Sequence, residues 1–384
     1  MKKIRVDSFT STIFILILLF YIIAILSDVS ILSVLGKYAF VMFMILIFVS
    51  QLETFHPNKR DLVLFSPFMA FILSYSLNLI QSFEMNGIMI VFNLLVYLVI
   101  IYLVSKISWD RLQVKTLSYV YCMAVPFLYL LTFVAKSILN TNTIGAYMYF
   151  LSFFPLLYIA DKSRAKRRVY SLLVLAISFL VILATSTRSI MLSAAFGFMT
   201  YFLWRFISSR KVLFKGYFLA IVAMLYGVTG IYPYMHRWSS FEFFNNLSLS
   251  LTGKRIMSGR NTIWAQLIDL ISERPFFGYG SSAVPEDFLT TSLSAHNLYL
   301  QIGLQVGILG LVFLVIFFYF IWNSYWENRN EPKVILAASF FVSILIYQAF
   351  EVSLTQNQFG IGLLQWLIIA FGLSYSKRRH DNGY

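Results

Sequence analysis

The chain has 384 residues, of which 59% are hydrophobic and only 12% charged, and its mean hydropathy is +0.77. A soluble domain carries about a quarter of its residues as charges, so this composition excludes a soluble globular protein and defines an integral membrane protein. The net charge of +14 then needs a topological account, and the single cysteine, Cys122, excludes a disulfide within the chain.

Hydrocarbon offers no water to pair backbone amides, so only helices or a closed barrel can cross it, and apolar runs of about 20 residues mean helices. The fold class expected is therefore all-α and polytopic. Met1-Lys2-Lys3-Ile4-Arg5 precedes an apolar run from Ser11 to Leu26 with no small-residue cleavage site behind it, which reads as a retained first span. Further apolar runs at 35–51, 62–81, 87–105, 117–136, 146–160, 169–185, 189–204, 216–231, 300–322, 334–350 and 358–375 bring the expected total to about twelve transmembrane helices. The expected organisation is spans one to nine over 1–231, a large extracytoplasmic loop over 232–297 that bears the active site, and spans ten to twelve with a cytoplasmic tail over 298–384.

Orientation follows from the basic residues, because cytoplasmic loops are enriched in Lys and Arg. With both termini in the cytoplasm, the inner side receives the N-terminal tail, Lys59 and Arg60, the loop of Lys106, Arg111 and Lys115, and the run to Arg168. It also receives Arg205 to Lys215, Arg329, Lys333 and Lys377-Arg378-Arg379. The net charge is thus mostly topology, and no loop interleaves basic and aromatic residues as a nucleic-acid surface would. Eight basic residues remain outside, against the bias: Lys37, Lys136, Arg188, Arg237, Lys254, Arg255, Arg260 and Arg274.

Five of these are arginines, and four fall between Tyr232 and Asn297, the one long polar interval of the chain. The fifth, Arg188, sits in the short connection Thr185-Ser186-Thr187-Arg188-Ser189 at the outer interface. It either snorkels to lipid headgroups or binds an anion. Arginine offers a rigid fork of donors that suits phosphate, so two or three of them would hold a diphosphate and stabilise its charge as it leaves.

Within the polar interval, Ile263, Trp264, Leu267, Ile268 and Ile271 recur at helical spacing, with Gln266, Asp269 and Glu273 opposite. This predicts an amphipathic helix lying on the membrane surface, with Arg260 at its N-terminal end and Pro275 stopping it at Arg274. Gly278-Tyr279-Gly280 reads as a tight bend, a weak signal by itself. Of the two histidines in this interval, His236 is not beside a span, whereas His296, just before the next one, is suited to proton transfer near neutrality, although a helix-start role is the plain alternative. No His, Asp and Glu residues show metal-ligand spacing, so neither a metal nor another cofactor is expected. Trp264 and Tyr279 would suit sugar stacking, yet aromatics at an interface need no such role.

Taken together, Thr187-Arg188-Ser189, Ser258-Gly259-Arg260 with Trp264, Pro275 with Gly278-x-Gly280, and His296-Asn297-x-Tyr299-Leu300 with Gly303, Gly307 and Gly310 resemble the O-antigen polymerase and ligase superfamily in order and spacing across about 185–312. The resemblance implies a GT-C-like, metal-independent, inverting glycosyltransferase of the plasma membrane, with an undecaprenyl-diphosphate-linked oligosaccharide as donor. It assigns Arg188 and Arg260 to the diphosphate and His296 to activation of the acceptor hydroxyl, with Arg255, Arg237, Asn297, Trp264 and Tyr279 as substrate-binding residues. A polysaccharide polymerase, extending one lipid-linked repeat unit with another and working beside a flippase and a chain-length regulator, is the expected branch. A ligase that hands the glycan to lipid A core or to protein is the alternative, and a flippase for the same lipid is the rival outside enzymes.

Overall fold

The computed structural model describes residues 42, 57–80, 83–107, 109, 113–119, 141–160, 165–253, 255–256, 259–290, 294–356 and 358–376. The predicted spans at 11–26 and 35–51, most of that at 117–136, and the tail beyond Ser376 lie outside these residues, as do Lys37, Lys136, Lys254 and Ser258. The regular elements among the described residues are all helices. We number the helices α1 (Lys59–Leu79), α2 (Met85–Lys106), α3 (Thr141–Leu151), α4 (Phe153–Ala160), α5 (Ala165–Thr185), α6 (Arg188–Ile207) and α7 (Lys211–Ile231). They continue as α8 (Phe241–Thr252), α9 (Arg260–Glu273), α10 (Leu298–Tyr325), α11 (Pro332–Gln348) and α12 (Phe359–Ser376).

Among the described residues, seven helices are long and apolar enough to cross a membrane, and α5 and α11 supply two shorter apolar ones. The run predicted at 146–160 is two helices, α3 and α4, joined at Ser152 within one crossing. At the centre stand α11 and α12, buried along nearly their whole length, which is what helices apolar on every side require. Around them, α6 lies along α11, α1 along α10, and α2 along α12.

Alternation of direction sorts the helix ends into two sets. At one end Trp204 donates to the carbonyl of Arg329, Trp322 to that of Phe214 and Asn328 to that of Tyr375, while Lys106 pairs with Asp61 and Arg60 with Glu327. This end collects Lys59, Arg60, Lys106, Arg329 and Lys333, described residues among those that the sequence assigned to the cytoplasm. At the other end lie the last turn of α1, the first turns of α2, α6, α10 and α12, and the described residues of 232–297. For the described loops, the sequence pattern and the three-dimensional pairing agree on which share an end of the bundle.

The opposite end contains the main departure from regular structure. Hydropathy predicts an unbroken span at 300–322, yet Gly307 has φ 68° and ψ −168° and interrupts α10. Breaking a helix inside a membrane frees backbone groups that must find partners. The segment 275–280 supplies them: the amides of Tyr279 and Gly280 donate to Leu304 O (2.8 Å) and Gln305 O (3.1 Å), and the amide of Ile308 donates to Pro275 O (2.7 Å). The Asn78 side chain donates to both Phe277 O and Gln305 O. Gly278 and Gly307 meet where a Cβ on Gly278 would lie 2.5 Å from Leu304 O and one on Gly307 would lie 2.3 Å from Phe276 O. The bend expected at Gly278-Tyr279-Gly280 is thus a plug for a broken span.

One expectation is corrected here. Helix α9 has the predicted amphipathic pattern and bounds, beginning at Arg260 and ending at Glu273 with Arg274 as its cap. Its apolar side is covered by protein rather than lipid: Ile263, Trp264 and Leu267 pack with Ala283, Ala295, Leu300 and Leu304 in a small core of their own. Gly303 makes room for Ile271 of α9 at the same seam.

Candidate active site

The three residues proposed from the sequence as catalytic lie on three different elements. Arg188 opens α6, Arg260 opens α9, and His296 precedes Asn297, the cap of α10. Arg260 and His296 are brought together by a residue that the sequence analysis passed over. The Glu351 carboxylate, one-tenth exposed, lies 3.2 Å from His296 Nδ1 through Oε2 and 3.7 Å from Arg260 Nη2 through Oε1. Arg260 Nη1 also donates to Phe350 O at 3.3 Å. A carboxylate only accepts, so His296 Nδ1 carries the proton toward Glu351 and Nε2 is left as the basic nitrogen.

Arg188 comes to the same end by the antiparallel pairing of α6 with α11. Trp204 reaches Arg329 at one end of that pair, and Gly197 sits against Ser343 and the Ser339 carbonyl midway, so the first turn of α6 falls level with the end of α11 and Phe350. Arg188 Nη1 donates to the carbonyl of Arg255 at 3.0 Å.

Backbone strain marks both sides of this site. Among the described residues only two that are not glycine have positive φ, Ser186 at 50° and His296 at 45°. Each such residue costs on the order of 1–3 kcal/mol and persists only where its surroundings over-determine it. Here one lies two residues before Arg188, and the other is the candidate base itself.

The short connection that carries Glu351 is braced from below. Gln348 Oε1 accepts from the amides of Ser353 and Leu354, both at 3.2 Å, and Gln348 Nε2 donates to Gln365 at 3.0 Å. Trp366 donates to Leu354 O, and Gly362 lets Ser353 O approach where a Cβ would be 2.2 Å away. All of these residues are buried, so the carboxylate is held by a rigid polar frame.

The remaining candidates divide in two. Asn297 is fully buried; its Oδ1 accepts from the amides of Tyr299 and Leu300 and its Nδ2 donates to Thr229, which makes it the cap of α10 and a tie to α7. Trp264 is buried with Nε1 donating to Ala295 O, next to His296. Both hold the frame, with these polar groups taken up by the protein. Arg255 and Arg237 are exposed, Arg237 over the ring of Tyr234. Tyr279 is half-buried between Phe288 and Arg274, and desolvation together with its bond to Glu273 keeps its phenol protonated above the ordinary range. These three are not tied to the Glu351 cluster. Among the described residues no three His, Cys, Asp or Glu side chains gather closely enough to hold a metal ion.

Glu351 carried a signal that could have been used. It is an acid at the end of an apolar run, in a short connection predicted to face the same side as the surplus arginines, where only a cationic partner would make it tolerable.

Fold and site together define a polytopic helical membrane protein that gathers arginines, a histidine and a glutamate at one face. In comparison with known proteins, the chain matches the family model described as O-antigen ligase over residues 172–315. It is 32% identical over 92 residues to an O-antigen ligase of Pseudomonas aeruginosa, covering 23% of this chain and 23% of that protein. It is 23% identical over 277 residues to a ComP-specific O-oligosaccharyltransferase of Acinetobacter baylyi, covering 65% of this chain and 48% of that protein. The matches thus span about half or less of the length of these relatives. Both names, and that of the family, favour the ligase alternative over the polymerase expected from the sequence.

Proposed function

We propose that this protein transfers a glycan from a lipid diphosphate carrier to the hydroxyl of an acceptor that is not itself a further lipid-linked repeat, at the extracytoplasmic face of the plasma membrane. The observation that carries the reading is Glu351 joining His296 to Arg260 at the end of the bundle where Arg188 also emerges. That arrangement sets a base oriented by a carboxylate beside guanidinium groups suited to a diphosphate.

The chemistry balances without a co-reactant. His296 Nε2 takes the acceptor O–H proton as that oxygen forms a bond to the anomeric carbon; the bond from that carbon to the diphosphate oxygen breaks, and the diphosphate leaves with the electron pair. Attack from the face opposite the leaving group inverts the centre. Arg188 and Arg260 stabilise the charge developing on the diphosphate, the role in which fixed donors contribute most. Glu351 holds the His296 ring so that Nε2, not Nδ1, meets the acceptor.

A deletion strain tests the reading. A ligase or oligosaccharyltransferase leaves full-length glycans on the lipid carrier, whereas accumulation of single lipid-linked repeats would return the polymerase to first place. Failure of lipid-linked repeats to reach the outer face would instead favour a flippase.

A further inference from the structure

Helix α8 carries an apolar stripe that is exposed among the described residues. Phe243, Phe244 and Leu247 share one side of the helix at spacings of one, three and four, and are 68%, 49% and 44% exposed. Glu242 and Asn246 occupy the adjoining flank with Leu249 and are exposed too, Ser250 continues the line of Phe243, and Phe241 and Asn245 form the edge turned to the protein. The contrast with α9 is direct, since the apolar side of that helix is buried on Ala283, Ala295 and Leu300.

What covers the stripe is indicated by where α8 sits. It follows α7, a candidate span whose Tyr226 and Ile231 are 82% and 49% exposed as lipid-facing residues are, after only the short 3-10 helix Tyr232–Arg237 and three further residues. The apolar surface of α7 therefore continues into α8 close to the membrane boundary. Half-exposed Trp238 and the Arg237–Tyr234 stack occupy the join, the residue types that favour headgroup depth. Exposed Arg237 and Arg255 flank the helix with charge complementary to phosphate.

We infer that α8 lies in the leaflet on the side of the site, with Phe243, Phe244 and Leu247 among the lipid chains, and that it thereby sets the depth at which Arg255 and Arg188 meet the phosphates of a membrane-borne donor. The coupling is built from three hydrogen bonds on two consecutive residues. The Ile256 amide donates to Asn245 Oδ1 of α8 at 3.2 Å, Tyr232 Oη donates to Ile256 O at 3.2 Å, and Arg188 donates to Arg255 O. A helix floated at a fixed depth thus fixes the residue to which Arg188 is tied. The second half of this inference rests on the proposed transferase function; the first half does not.

The test uses the full chain carrying Cys122→Ala, reconstituted in nanodiscs of phosphatidylethanolamine and phosphatidylglycerol, with an environment-sensitive fluorophore attached through Leu247→Cys or, separately, Asn246→Cys. Quenching of the first but not the second by acyl-brominated phospholipids supports the lipid seat. Quenching of the Leu247→Cys probe by aqueous iodide overturns it, and so does shielding from both quenchers, which would place a second copy or a protein partner on the stripe. A Phe243→Glu/Leu247→Glu variant then reads the coupling: KM for a long-chain lipid-diphosphate donor rises about tenfold with kcat kept, while a short-chain donor is unaffected. Lipid quenching with an unchanged KM ratio would overturn the depth-setting role and leave the seat standing. Absence of any transfer by the parent chain would instead count against the proposed function, with the quenching result still readable.

Discussion

The two ends of the helix bundle are built by different rules. At the end bearing Asp61 and Lys106, α1 starts on a capping box, Asp61 pairs with Lys106 and Arg60 with Glu327, and indoles donate to carbonyls of neighbouring helices. At the other end a span is broken at Gly307, two non-glycine residues take left-handed backbone, and a buried glutamate stands between an arginine and a histidine. Both ends face the same physical problem of burying polar groups among apolar helices. One solves it at low energy, whereas the other accepts strain, which is the pattern expected where geometry is selected for chemistry.

The sharpest way to break this contrast is His296→Gly. The substitution removes the proposed base and relieves the positive φ, so glycan transfer should fall by about 10²–10⁴-fold while thermal stability holds or rises by up to about 1 kcal/mol. A protein that loses activity by unfolding would show a lower melting temperature in the same detergent, and that outcome would remove the strain argument. Glu351→Gln should follow at about 10–100-fold, a range typical of residues that orient a working group. The neutral amide can keep a bond to His296 Nδ1, so activity retained by Gln but lost in Ala would separate positioning from charge.

Next in size come two stability effects, one at each end. Gly307→Ala places a methyl against Phe276 O in a left-handed backbone and should cost about 3 kcal/mol or more. Because the plug at 275–280 follows directly on α9, the helix that Arg260 opens, transfer should fall with it. Lys106→Met leaves the Asp61 carboxylate, 2% exposed, without its lysine and should cost a similar amount, about 3–5 kcal/mol. Here the activity of the surviving folded molecules should be unchanged. Melting curves paired with transfer assays on the same preparations distinguish the two.

How far the sequence discloses this contrast depends on whether the determining partner is near or far along the chain. Arg188, Arg260 and His296 could be picked out because a charge placed against the positive-inside bias, or a histidine at a span boundary, is visible residue by residue. The bounds of α9 were legible for the same local reasons, a periodic run stopped by Pro275. Its burial was not, since α8 and α9 are both amphipathic and only the tertiary partners Ala283, Ala295 and Leu300 decide which faces protein. The break at Gly307 is equally hidden: hydropathy sees one apolar run, and the groups that make a broken span tolerable come from 275–280 and from Asn78. Glu351 was overlooked because its partners lie 55 and more residues away.

The smallest expected effect is the most informative about independence of the ends. Arg60 and Glu327 tie the first turn of α1 to the turn after α10, and their side chains are 48% and 41% exposed. Solvent screens such a pair, so Arg60→Ala should change stability by less than about 1 kcal/mol, and less still at high salt. Helix α10 runs from this contact to Asn297, next to His296, so a rigid α10 would transmit a disturbance along its length. The non-helical turn at Gly307 lies between the two, and the first half of α10 is held separately by 275–280 and α9. Transfer by Arg60→Ala should therefore match the parent within about twofold. A loss of tenfold or more in transfer, with melting unchanged, would mean that the broken helix still acts as one rod and that the site is not insulated from the opposite face.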